Sequence, residues 1–180
     1  MAGKEIQNQV MAALSEFVHP DLLVREWSVR RGAQDIFGDD DSYAPCLDVA
    51  IGPFNPTFQN RYDDALAITG ADGPLIRVLR DAIAHQNPQF FENSNPRCLV
   101  GIEVEHETSS KHILGGITNV SMLGRLGVMI GSPEKVPKIR RIHSYVRKLK
   151  EVEKAPPDMF GNVGCFELGE FLQLLDIARG

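Results

Sequence analysis

No CxxC pair occurs in this 180-residue chain, and its three cysteines, Cys46, Cys98 and Cys165, stand far apart. That spacing excludes a cysteine zinc cage and a dithiol redox motif. Each cysteine sits in or beside an apolar strand-like run, so all three read as buried free thiols. No apolar stretch approaches the roughly 20 residues that a membrane span requires. The N-terminal MAGKEIQNQVMAALSEFV is interrupted by polar residues throughout, which is unlike a signal peptide and predicts a cytoplasmic protein. The phosphate loop GxxxxGK[ST], the dinucleotide fingerprint GxGxxG, the nucleophile elbow GxSxG and the zincin HExxH are all missing. EHETSSKH only mimics the last, because His106 and His112 are too far apart to share one helical face. His19, His85 and His143 read as satisfied surface residues.

Charge of one sign is scarce in one place and concentrated in another. The net charge of −5 excludes a generally basic coat, yet residues 135–154 hold eight Lys or Arg against two Glu. That segment carries +6 and leaves −11 for the rest, a basic element on an acidic body. It reads as a helix begun by Pro137, with Ile139, Ile142, Val146 and Leu149 as its core stripe and its cations off that stripe. A charged outer face is also what any surface helix carries.

Periodicity supplies the remaining elements. Residues 4–18 predict a first helix, and LLVREWSVRR and YAPCLDVAIG predict two strands joined by an acidic loop at Asp39–Asp41. In the second strand, alternation groups Leu47, Val49 and Ile51 and leaves Asp48 with the small residues Ala50 and Gly52. Residues of about 55–97 read as a helical insertion, with one helix around Phe58, Tyr62 and Leu66 and another along Leu75, Val78, Leu79 and Ile83. Thr108 or Ser109 can cap a helix running to about Leu123, followed by a GRLG turn and the buried strand GVMIG. Gly115 and Gly116 within that helix imply close packing on the sheet or room for a ligand. NVGCFEL and GEFLQLLDIAR close the chain as strand and helix, so the whole predicts one mixed α/β domain spanning 1–180.

LVGIEVEHETSSKH, residues 99–112, places Glu103, Glu105 and Glu107 at every second position of an otherwise apolar strand. Side chains two apart share a face. A row of carboxylates needs solvent, a shared proton, basic partners or a cation. An antiparallel strand with one wet face satisfies the first condition. Asp48 on another strand adds a carboxylate and Lys111 lies a few residues beyond, and hard oxygen ligands of this kind suit Mg²⁺ or Mn²⁺.

The Asp48 strand, the Glu103-Val104-Glu105 strand, the helix after it and the GVMIG strand together resemble the core of the PD-(D/E)XK nuclease superfamily, the fold of many type II restriction endonucleases. The resemblance covers about residues 4–54 and 98–131. It implies a restriction endonuclease-like mixed central sheet flanked by helices, Mg²⁺ or Mn²⁺ as cofactor, and a metal-dependent phosphodiesterase that hydrolyses DNA. Carried over by position, Asp48 and Glu103 would hold the metal together with the Val104 carbonyl. Glu105 stands where the family usually has its catalytic lysine, a departure shared with the minority of members that carry E-x-E. Glu105 or Lys111 would then handle the water, and Glu16 resembles in placement an accessory acid of the first helix. Arg140, Arg141, Arg147 and Lys148 would track DNA phosphates, and analogy with restriction enzymes implies a homodimer. The alternative is a non-catalytic binding or assembly module of the same fold, in which E-x-E marks lost chemistry.

Overall fold

The computed structural model describes residues 3–30, 44–55, 73–107, 109–156 and 159–180. The predicted acidic loop at Asp39–Asp41 and the insertion's first helix around Phe58, Tyr62 and Leu66 lie outside the described residues. The fold is α/β, with a mixed five-stranded sheet flanked by helices. In chain order the elements are α1 (Gly3–Leu14), β1 (Leu23–Ser28), β2 (Cys46–Ile51), α2 (Pro74–Gln86), β3 (Cys98–Glu105), α3 (Ser110–Leu123), β4 (Gly124–Gly131), α4 (Val136–Glu151), β5 (Val163–Glu167) and α5 (Leu168–Arg179). Among the described residues no helix is long and apolar enough to cross a membrane.

Strand order across the sheet follows the chain, β1-β2-β3-β4-β5. The first three strands form an antiparallel meander, and β3, β4 and β5 run parallel. A parallel neighbour cannot be reached by a tight turn, so α3 and α4 serve as the crossovers. Each helix buries one apolar stripe. Ile6, Val10 and Leu14 of α1, Leu75, Leu79 and Ile83 of α2, and Phe171 and Leu175 of α5 form one core. Ile113, Ile117 and Val120 of α3, with Val136, Ile139 and Val146 of α4, form the core on the opposite face. Each such side chain contributes roughly 1.5–3 kcal/mol when fully withdrawn from water.

Two boundaries differ from the sequence reading. The first helix stops at Leu14 rather than near residue 18, and Ser15 returns its hydroxyl to the Ala12 carbonyl. GRLG is strand, because β4 begins at Gly124 directly after α3. A Cβ at Gly124 would stand 2.3 Å from the Leu126 carbonyl oxygen and 2.8 Å from the Gly101 nitrogen. Only glycine fits so abrupt a change from helix to strand.

The two first strands switch faces at one rung. Trp27 pairs with Leu47 and Arg25 with Val49, so Glu26 and Asp48 lie between those pairs. Leu47 and Trp27 pack under α3 and α4, whereas Val49 and Ile51 enter the other core. Glu26 has φ 47°, a left-handed conformation that costs a non-glycine residue roughly 1–2 kcal/mol. The grouping of Leu47 with Val49 and Ile51 is therefore corrected: the kink turns Leu47 away and leaves Asp48 at the point of reversal. Gly101 allows the turn, since a Cβ there would meet Leu47 Cδ1 at 2.9 Å.

Candidate active site

The kink has a consequence for hydrogen bonding. Pairing of β2 with β3 runs from Ile51–Val100 through Ala50–Gly101 to Val49–Ile102 and then stops. Beyond that rung two backbone groups lose their ladder partners and must be satisfied otherwise. Gln7 of α1, itself buried, donates Nε2 to the Asp48 carbonyl at 2.8 Å, and Arg25 Nη2 fixes the other end of its amide, also at 2.8 Å. The Val104 N–H donates to Asp48 Oδ2 at 2.7 Å. The Asp48 side chain thus stands in for a missing strand residue and is held between β2 and β3.

A pocket of about 350 Å³ opens at this split, lined by Asp48, Glu103, Glu105, Lys111, His112 and Gly115 among others. Glu103 is largely buried there. Burial and then the Asp48 carboxylate push its pKa from 4.5 up to about 8, against an opposing bond from Asn119 Nδ2 at 3.3 Å. A side-chain interaction with Asp48 and the charge of Glu105 add to the rise. Glu105 is 8 % exposed and accepts the Glu107 N–H at 2.6 Å. Burial raises its pKa as well, with the positive potential of His106, His112 and Lys135 partly offsetting it. Glu103 and Glu105 do not form a wet face, whereas Glu107, past the end of β3, is exposed. β3 is the central strand, covered on both sides, and its carboxylates enter a pocket rather than solvent.

Thr108 lies outside the described residues, and Ser109 caps α3, accepting the Lys111 N–H at 3.3 Å. That start brings the exposed Lys111 and His112 side chains to the pocket. The two glycines of α3 have separate reasons. A Cβ at Gly116 would lie 3.0 Å from Met129 Cε and 3.7 Å from Glu103 Cβ, the close packing that the sequence suggested. A Cβ at Gly115 would meet nothing within 4 Å, so this glycine borders open space in the pocket. Gly115→Ala is therefore expected to stabilise the fold by about 1 kcal/mol through helix propensity alone, raising the melting temperature by roughly 2–4 °C in thermal denaturation.

The remaining predicted residues are dispersed. Glu16 lies past the end of α1, where its carboxylate accepts Arg179 Nη2 at 2.6 Å, and it does not line the pocket. α1 contributes Gln7 to the site instead, a residue whose amide gave no charge signal in the sequence. Arg140 is committed to the Cys165 carbonyl at 3.1 Å and to Glu170 at 2.7 Å. Arg147 is half-buried with its Nε enclosed, while Arg141 and Lys148 stand exposed on α4. His143 is buried rather than superficial: its Nε2 lies 2.9 Å from the Phe160 carbonyl, and burial lowers its pKa to about 4. Cys98 and Cys165 are buried free thiols, the latter pushed by burial up to about 12. Cys46 is exposed and borders the pocket.

Among the described residues, no three His, Cys, Asp or Glu side chains converge as a ready metal cage. The donor set that does converge is a pair of carboxylates, Asp48 and Glu103, in one pocket and near enough for the charge of Asp48 to raise the pKa of Glu103. A divalent ion would neutralise the repulsion between them. Mg²⁺ sites commonly use one or two carboxylates and leave the other positions to water and phosphate oxygens. The residues therefore fit such an ion. Comparison with protein-family models, with curated proteins and with solved structures finds no match to this chain.

Proposed function

We propose that the chain is a metal-dependent phosphodiesterase that hydrolyses DNA. The observation that carries this reading is the Asp48–Glu103 carboxyl pair, set where β2 and β3 separate, in one pocket with Glu105 and Lys111. Of the elements that carry the PD-(D/E)XK resemblance, β2, β3 and α3 line that pocket and β4 pairs with β3 beside it, which supports a restriction endonuclease-like assignment.

Asp48 and Glu103, with the Val104 carbonyl, would hold Mg²⁺ or Mn²⁺. Such an ion supplies a water acidified toward neutral pH and counter-charge for the phosphate. Glu105 would serve as the proton acceptor in the pocket, since burial raises its basicity above that of an ordinary glutamate. Lys111, exposed at the pocket, would pair with the charge that develops on the phosphate or the leaving oxygen. Glu105 in place of the usual lysine favours a second reading, the non-catalytic binding or assembly module.

Calorimetric titration of Mn²⁺ at pH 8 separates the two. Saturable binding to the wild type that disappears in Glu103→Gln, together with nicking of plasmid DNA, is the expected result. Binding without nicking would leave the module reading. No saturable heat from the wild type would remove the metal centre itself.

A further inference from the structure

The outer face of α4 carries more than charge. Arg141, Tyr145 and Lys148 occupy positions i, i+4 and i+7, a spacing that puts them on one stripe of a helix. Tyr145 is 60 % exposed, with Ser144 exposed beside it, while the opposite face of α4 is buried through Val136, Ile139, His143 and Val146. Neither Arg141 nor Lys148 has a hydrogen-bond or ion-pair partner among the described residues, in contrast to Arg140, which is tied to Cys165 and Glu170. Seven residues of helix separate the two free cations by ~10 Å, with the tyrosine ring between them.

The helix also begins beside His106, a residue of the pocket wall. Lys135, the residue before α4, donates its Nζ to the His106 carbonyl, and its charge is felt by Glu105. A chain leaving the pocket along α4 would meet Arg141, then Tyr145, then Lys148.

We propose that this stripe is a docking surface for an unpaired strand of nucleic acid. The argument is charge complementarity combined with the chemistry of the ring. Residues 135–154 carry +6 on an otherwise acidic protein, which favours a polyanion. Two cations with nothing between them would suit any phosphate backbone. An exposed aromatic between them offers a stacking platform that only splayed bases can use, since a duplex keeps its base faces stacked inside. The inference rests on reading the pocket as a phosphodiester site, and it narrows the substrate to DNA with a single-stranded segment beside the cut.

The test measures binding in EDTA, so that no cleavage occurs, using fluorescence anisotropy with a labelled oligothymidine and a labelled hairpin duplex. Tyr145→Ala is expected to weaken oligothymidine binding about tenfold or more and leave the hairpin unchanged. Tyr145→Phe should keep wild-type affinity, because the ring is retained. Arg141→Gln should weaken both probes and flatten their salt dependence by about one counterion. Equal affinity of Tyr145→Ala and wild type for oligothymidine, an equal loss on both probes, or no binding of oligothymidine by the wild type would each overturn the proposal. Because binding is read in EDTA, an absence of Mn²⁺ binding by the wild type would overturn the metal centre and leave this result intact, so the two failures can be told apart.

Discussion

Asp48→Ala is expected to abolish saturable Mn²⁺ binding and to reduce plasmid nicking by about a hundredfold or more, the upper range even for residues that only support a metal ligand. The same substitution should lower the melting temperature by about 5 °C, because it leaves the buried Val104 N–H without an acceptor. These two losses have different causes and can be separated. Asp48→Asn retains an oxygen for the Val104 N–H but removes the charge beside Glu103. It should therefore recover most of the stability and none of the activity. Circular dichroism melts, Mn²⁺ calorimetry and nicking assays on the two variants decide the matter. Nicking by Asp48→Asn at the wild-type rate would remove Asp48 from the catalytic centre and leave it a purely structural residue.

The second large effect concerns pH. Glu103 titrates near 4.5 in an unfolded chain and is raised to about 8 by burial and by Asp48 in the folded one. Between those values the native protein keeps a proton that the unfolded chain has released. Unfolding then releases that proton, so stability falls as pH rises through the window and levels off above about 8. The decline should be on the order of a few kcal/mol, and Glu103→Gln should remove most of it. Glu105, also raised by burial, contributes with the same sign, so some slope should remain in the variant. Urea denaturation at pH 5, 7 and 9 measures this directly. Identical slopes in wild type and variant would show that Glu103 is not the buried acid. Saturating Mn²⁺ should restore stability at high pH, where the carboxyl pair is free to take the ion.

Much of the fold was legible because alternation and helical stripes report burial, and burial is what each element shares with its neighbours. The α2 stripe of Leu75, Leu79 and Ile83 and the α4 stripe of Ile139 and Val146 are buried as their periodicity predicts. Legibility failed where one residue broke the period. A single rung of left-handed backbone at Glu26 moves Leu47 to the opposite core from Val49, and nothing in CLDVAIG marks it. Helix ends were misread for a related reason: GRLG looks like a turn, yet its first glycine serves close contact rather than chain reversal.

The carboxylates of the candidate site were visible because their spacing on β3 is unusual for an apolar strand. Gln7 was not, since an amide inside a surface helix looks like ordinary helix filler until Asp48 and Arg25 are seen on either side of it. Charge alone likewise could not sort the cations of α4. Arg140 and Arg141 are adjacent in sequence, but a turn of 100° per residue sends one to the Cys165 carbonyl and the other to solvent.

The separation of β2 from β3 gives the protein its own built-in spectroscopic probe. The Val104 amide proton is held by a carboxylate oxygen, at 2.7 Å, where its neighbours in the ladder are held by backbone carbonyls. Its chemical shift and its exchange with solvent deuterium should follow the electronic state of Asp48 while amides such as Ile102 stay still. One resonance would then record proton loss from the carboxyl pair, arrival of a divalent ion and approach of a phosphate, each as a distinct displacement along a single axis.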